Sequence, residues 1–294
     1  MNKLYKTLGL IILFHPPQNV RENILSYLGD LDKLILWNNS LFEPIFSKEE
    51  NIYKEKIIEM GNGNNVGLGI ALNEAVKYAI KFHFTYLLTM DQDSFFIEND
   101  FSKYLDTINN YSVRGEKSIF SPNYIIHNKE WYIRNESLFE VEASMTSGSL
   151  YPTCIFNELG LFREDFFIDS IDIEFCLRAK KYGILTKIVT TVNLNHKAGY
   201  QKKKHKFLWK TFYPNEYSPL RSYYIIRNSL VTKNLYPDAK LWSGFFYYWL
   251  YKRLFFVLMY EKCKFLKIKG LIMGFIHGKK GITGKQNIFF NEYK

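Results

Sequence analysis

Short apolar runs alternate with helical periods along the first third of this 294-residue chain. "LGLIILF" is a continuous apolar run and predicts a buried strand, "PQNVRENILSYL" an amphipathic helix, and "KLILW" a second strand ending at Asn38-Asn39-Ser40. The unit then repeats: "VGLGIALNEAVKYAIKF" sets Leu68, Leu72, Ala75, Val76, Ala79 and Ile80 on one helical face, and "TYLLTM" is the next strand. Strand, helix, strand, helix predicts an open, mostly parallel α/β sheet with helices on both sides. In such sheets ligands bind beyond the carboxyl ends of the strands.

Further on, "EASMTSGSLYP" carries a small-residue loop, Ser147-Gly148-Ser149. "FFIDSIDIEFCLRAKKYGI" predicts a helix that buries Phe175, Cys176 and Ala179, with Asp169, Ser170 and Asp172 crowding its start, and "TKIVTTV" reads as a strand before His196. From Leu241 to Lys280 the chain becomes aromatic and basic, a helical appendage.

Composition narrows the classes. A 47% hydrophobic content can fill a core, and three scattered cysteines, Cys154, Cys176 and Cys263, support neither a disulfide framework nor a zinc site, which fits a reducing cytoplasm. The N-terminal "KTLGLIILF" ends at His15-Pro16-Pro17 and reads as a strand rather than a signal sequence. A net charge of +10 asks for an anionic partner. Between Lys252 and Lys280 stand eight Lys/Arg and a single acid, Glu261, interleaved with Phe, Leu, Tyr and Ile. That pattern suits a membrane surface better than a nucleic-acid groove, and no nucleic-acid-binding signature accompanies it. Lys252 and Arg253 interrupt the longest apolar stretch, so a spanning helix is not expected.

The chemistry-bearing candidate is "YLLTMDQDSFF", where Asp91 and Asp93 follow a buried-looking strand. Had the strand continued, period two would point both carboxylates one way, as a divalent cation requires; taken alone, a polar turn at a strand end is the commoner explanation. Acids at Asp169, Asp172 and Glu174 favour a helix N-terminus, but they exceed what capping needs, and one of them is a candidate base. "GNGNNVGLG" lacks a Gly-Lys-Ser/Thr and a GxGxxG, leaving a turn into a helix whose N–H groups face a phosphate at best. His196 is the best placed of the six histidines for a third metal position, and imidazole suits Mn²⁺ better than Mg²⁺. HExxH and GxSxG are both missing, which disfavours hydrolases.

In order, "NNVGLGIALNEAVKYAI", "LLTMDQDS", "TSGSL", "FFIDSIDIEFCLRAKKYGI", "NHKAG" and "SPLRSYYIIRN" resemble the inverting, GT-A type glycosyltransferases of family two, most closely the bacterial rhamnosyltransferases. The resemblance runs from about Leu8 to Asn228. It implies a GT-A domain over residues 1–235, with a nucleotide-sugar half to about 95 and an acceptor half from 96, followed by a C-terminal segment at 236–294. It implies a dTDP- or UDP-sugar donor, best dTDP-L-rhamnose, whose diphosphate meets Mn²⁺ or Mg²⁺ held by Asp91, Asp93 and His196. Asp172 takes the role of general base, with Asp169 and Glu174 in support. Asn38, Asn65, Gly67 and Arg227 fall on the donor side and Ser147, Gly148 and Ser149 near the acceptor. Asn38 stands where the family usually has an Asp accepting from the pyrimidine N3–H; its amide oxygen still accepts, without charge. Phe14-His15-Pro16 likewise departs from the family's pattern. The implied setting is cytoplasmic, on the inner face of the membrane, with a saccharide or lipid-diphosphate-linked acceptor. The other reading of the tail is a helical appendage that packs on the catalytic domain or on a homodimer partner. Galactofuranosyl or hexosyl transfer from a UDP-sugar, and a catalytically idle glycan- or lipid-binding module, are the competing readings.

Overall fold

A computed structural model describes residues 5–46, 51–112, 117–126, 129–196, 205–207, 210–212, 217–242 and 245–286, without the side chains at 51, 52, 112, 205–207, 210–212, 245–247 and 249. Lys197, Ala198 and Gly199 of the "NHKAG" segment lie outside the described residues. The chain divides into two compact units, one made of Met1–Phe162 and Phe175–Lys197, the other of Arg163–Glu174 and Ala198–Lys294.

The first unit contains β1 (Thr7–Leu13), α1 (Val20–Leu28), β2 (Lys33–Asn38), α2 (Asn51–Lys54), β3 (Ile57–Met60), α3 (Leu68–Lys81), β4 (Tyr86–Asp91), β5 (Ser94–Phe96), α4 (Asp100–Ser112), β6 (Ser118–Ile126), β7 (Lys129–Glu130), β8 (Leu138–Val141), β9 (Leu150–Pro152) and α5 (Ile155–Leu159). Helix α6 (Ile171–Lys181) starts in the second unit and runs into the first, leading to β10 (Leu185–His196). The sheet has the order β3-β2-β1-β4-β9-β6-β10-β5. β3, β2, β1 and β4 are parallel, as are β6 and β10, while β9 runs antiparallel to both of its neighbours.

From β1 the chain builds outward to β2 and β3 on one side and to β4 on the other. The reversal opens a crevice at the carboxyl ends, as in other open α/β sheets. Leu13 lies opposite Asn38 and Ile12 opposite Asp91, so the polar residues after β1, β2 and β4 gather at one edge. The strands are fixed there by burial, since Leu8, Ile11, Leu34, Ile35, Leu87 and Leu88 are fully enclosed. α3 buries Leu72, Ala75, Val76 and Ala79 as the periodicity requires, but Ile80, at the margin of that arc, is 40% exposed.

In the second unit, β11 (His205–Phe207) and β12 (Lys210–Phe212) pair with each other, and α7 (Pro219–Leu235), α8 (Phe245–Tyr260) and α9 (Lys264–Lys279) follow. Ser218 Oγ caps α7 by accepting from Arg221 N, with Pro219 at the first turn where a missing N–H costs nothing. Ile226, Leu230, Val257 and Leu271 form the helical core.

Candidate active site and metal centre

The strand does not continue through both aspartates. β4 ends at Asp91, Gln92 and Asp93 make a turn, and β5 begins at Ser94. The turn then receives a distant partner, because β5 pairs antiparallel with the end of β10 and sets His196 opposite Ser94. β10 therefore runs on to His196 rather than stopping before it. Asp91, Asp93 and His196 each offer one ligand atom, all within 4.8 Å of one another.

The donor set suits a divalent cation. Two carboxylates and an imidazole match Mn²⁺, and Mg²⁺ less well. Ser94 Oγ lies 2.7 Å from His196 Nδ1, and Asp91 Oδ2 lies 4.0 Å from the same nitrogen. Accepting Nδ1–H, Ser94 would fix the ring and leave Nε2 as the basic nitrogen, the outer-shell arrangement usual for a metal-binding histidine. The Asp91 side chain is 47% exposed and that of His196 only 13%, so an anchored ring faces a carboxylate open to solvent.

Residues that the motif reading passed over hold this turn. Gln92 accepts from Phe14 N and donates to Phe14 O, each at 2.9 Å, closing a two-way clamp between the ends of β1 and β4. Buried Asn23 donates to Gln92 O at 3.0 Å, and Asp91 N donates to Ser147 Oγ at 3.2 Å. Asn23 had a signal: it is an amide on the α1 face otherwise buried through Val20, Ile24, Tyr27 and Leu28.

At the end of β2 the network turns on Asn39. Its amide accepts from Val66 N at 3.0 Å and donates to Asn65 Oδ1 at 3.2 Å, and Asn65 Oδ1 accepts from Gly67 N at 3.1 Å. Asn65 and Gly67 thus shape the turn that starts α3. Half-buried Asn38 lines a hollow of about 100 Å³ with Ser40, Leu41, Phe42, Asn62 and Gly63. His15 N donates to Ser40 Oγ at 2.7 Å, joining the β1 loop to the same edge.

The Ser147-Gly148-Ser149 loop points inward. Both serines are fully buried, Ser147 against Asp91 N and Ser149 against Ser121 Oγ at 2.7 Å and Met145 O at 2.6 Å. Gly148 has φ 79°, and a Cβ there would lie 2.7 Å from Pro122 Cγ, so only glycine fits. These hydroxyls fasten the loop beneath the DQD turn.

The acidic helix start belongs to the second unit. Asp169 and Ser170 take left-handed φ values of 64° and 63°, strained for non-glycine residues by about 1–3 kcal/mol each. Asn228 and Arg227 hold that geometry. Asn228 Nδ2 donates to the carbonyls of Phe166, Ile168 and Asp169 at 2.9, 2.7 and 2.9 Å, and Arg227 donates to Asp165 O and Phe166 O at 3.0 Å each. Arg227 is fully buried, and its remaining donors meet Asn228 Oδ1 and Gly284 O. The expected phosphate contact for Arg227 is therefore replaced by a structural one, because its nitrogens are already engaged with the protein.

Asp169 Oδ1 accepts from Arg221 at 3.3 Å, while its Oδ2 is buried without a hydrogen-bond partner among the described residues. Burial pushes its carboxyl pKa above the ordinary value; Arg221 opposes this and the Asp172 charge adds to it. Glu174, 3% exposed, accepts from Tyr236 Oη at 2.9 Å. Asp172 is half-buried on the first turn of α6, its Oδ1 accepting from Ile173 N at 2.9 Å.

No family model matches the chain. The dTDP-rhamnosyl transferase RfbF of Shigella flexneri is 27% identical over 303 residues, covering 90% of this chain and 97% of that protein. The structure of GalNAc-T7 with UDP, GalNAc and Mn²⁺ superposes at a TM-score of 0.57 and 12% identity, covering all of this chain, which spans 57% of the larger protein. S. aureus TarS 1-349 in complex with UDP-GlcNAc superposes at 0.51 and 14% identity over 98% of this chain and 76% of the other. At these identities the two structures speak for the fold alone. The sheet that carries these motifs thus has the GT-A type fold, and over 90% of its length the chain is similar in sequence to a bacterial rhamnosyl transferase.

Proposed function

We propose that this glycosyltransferase moves L-rhamnose from dTDP-L-rhamnose, with inversion, to a saccharide or lipid-diphosphate-linked acceptor in bacterial surface polysaccharide synthesis. One observation carries the sugar: the rhamnosyl transferase aligned over 90% of this chain and 97% of its own length. Asn38, lining the hollow after β2, accepts from the pyrimidine N3–H. Asp91, Asp93 and His196 would hold Mn²⁺ or Mg²⁺, which neutralises the charge that grows on the departing diphosphate.

Asp172 is the general base. As the acceptor oxygen attacks the anomeric carbon from the face opposite the leaving group, its proton passes to the Asp172 carboxylate and the C–O bond pair leaves with dTDP. Asp169 and Glu174 position the start of α6, through Arg221 and Tyr236 respectively. No helix among the described residues is long and apolar enough to cross a membrane; the reading places the enzyme on the cytoplasmic face as a peripheral protein.

Calorimetric titration of the full chain with dTDP and with UDP, each with and without Mn²⁺, tests this reading. Metal-dependent binding that prefers dTDP is expected. Preference for UDP replaces rhamnose with a galactofuranosyl or hexosyl unit, and folded protein that binds neither is an idle glycan- or lipid-binding module.

A further inference from the structure

Helices α8 and α9 each bury one face and leave the other apolar. On α8, Val257 and Arg253 turn inward at 0% and 5% exposure, whereas Tyr248, Tyr251, Phe255, Leu258 and Met259 are 59%, 70%, 39%, 46% and 51% exposed. Their spacing of three, four, three and one residues forms a single stripe down the helix. On α9, Phe265, Ile272 and Ile276 are 79%, 54% and 40% exposed, while Gly274 and Gly278 lie buried against α7.

Charge decides what suits these stripes. The only acid between Lys252 and Lys280 is Glu261, and it is buried, accepting from both terminal nitrogens of Arg253 and from Lys267 at 2.9 Å. The lone carboxylate of the segment is thus consumed internally. Lys252, Lys262, Lys264, Lys279 and Lys280 remain exposed around the aromatic and aliphatic side chains. A second copy meeting this face across a two-fold axis would bring lysines against lysines, which repel. An anionic bilayer surface instead attracts the ammonium groups and accepts the rings and aliphatic chains at headgroup depth. Each helix has 16 residues, too few to span and enough to lie flat.

We infer that the outward faces of α8 and α9 dock this protein on a membrane rich in anionic lipid. The inference deepens the catalytic reading and borrows from it only the lipid-linked acceptor. Flotation of the full chain with phosphatidylcholine vesicles, with and without phosphatidylglycerol, tests it. Binding roughly tenfold or more tighter to the anionic vesicles and weakened by salt is expected. Tyr251→Ser with Phe265→Ser, and separately Lys252→Glu with Lys264→Glu, should each lower it by about tenfold while thermal unfolding and dTDP binding stay unchanged. Equal binding by wild type and both variants, no vesicle binding, or concentration-dependent dimerisation abolished by the serine pair would overturn the inference. Vesicle binding that persists in a protein unable to bind nucleotide would remove the catalytic reading and leave this one standing.

Discussion

The two carboxylate clusters solve opposite problems. Asp91 and Asp93 sit at a turn on the edge of the sheet, with Asp91 half in water, and their precision comes from neighbours: Gln92 on Phe14, Asn23 beneath the turn, Ser94 on His196. Asp169, on a strained backbone, and Glu174, in the first turn of α6, are withdrawn from water and need protein groups, Arg221 and Tyr236, to answer them. Carboxylates at a solvent-open turn cost little to leave charged, since water solvates them and a cation could displace it. Carboxylates set in a drier place have a position and a proton affinity that the protein around them tunes. Function at the turn should therefore be separable from folding, and at the helix start the two should be entangled.

The sharpest break of that contrast would come from Asp172. Asp172→Asn is expected to lower the transfer rate by a factor on the order of 10²–10⁴ while calorimetry shows Mn²⁺-dependent dTDP binding unchanged; near-normal transfer would move the base to Asp169. Next in size, Asn228→Ala should cost about 2–4 kcal/mol in urea unfolding, because three carbonyls lose their donor and the left-handed residues lose their clamp. Lost transfer with full stability would make Asn228 a chemical residue instead. At the turn, Ser94→Ala should weaken Mn²⁺ affinity by about tenfold or somewhat more, with a stability loss of only about 1 kcal/mol. Metal titration monitored by nucleotide binding reads the first, and unchanged affinity would remove His196 from the metal set.

The smallest effect concerns pH. Burial raises the folded-state pKa of Asp169 above 3.8, so the folded protein holds this proton more tightly than the unfolded chain. Its contribution is full below 3.8 and is lost as pH rises from there through the folded-state value. The stability of wild type relative to Asp169→Asn should accordingly decline with rising pH across that window in denaturant titrations. A constant difference would mean that Arg221 has cancelled the burial.

Local pattern made much of this legible. The apolar runs gave β1, β2 and β4 with nearly their observed ends, the face of α3 was right at Leu72, Ala75, Val76 and Ala79 but not at exposed Ile80 or half-buried Leu68, and the DQDS box lies at the strand end that the topology exposes. What stayed hidden depends on distant pairing. Ser94 and His196 are 102 residues apart in sequence, and only the antiparallel match of β5 with β10 brings them together. Periodicity also does not say which way a polar group turns. The hydroxyls of Ser147 and Ser149 turn inward and fasten their loop, and Arg227, read as facing phosphate, holds carbonyls.

The glycines of α9 carry one more consequence, for anyone who would shorten this chain. A Cβ on Gly274 would lie 2.5 Å from Tyr223 O, and one on Gly278 would lie 2.9 Å from Arg227 O, so α9 is wedged against the backbone of α7 with no room to spare. Beyond it, Gly284 O receives Arg227, and Gln286 N donates to Tyr224 Oη at 2.9 Å. A truncation after α8 would uncover α7 and unseat the arginine that grips the acid-bearing loop. Such a protein would lose its fold before it revealed anything about where the enzyme lives, so a truncation has to keep the chain through Gln286.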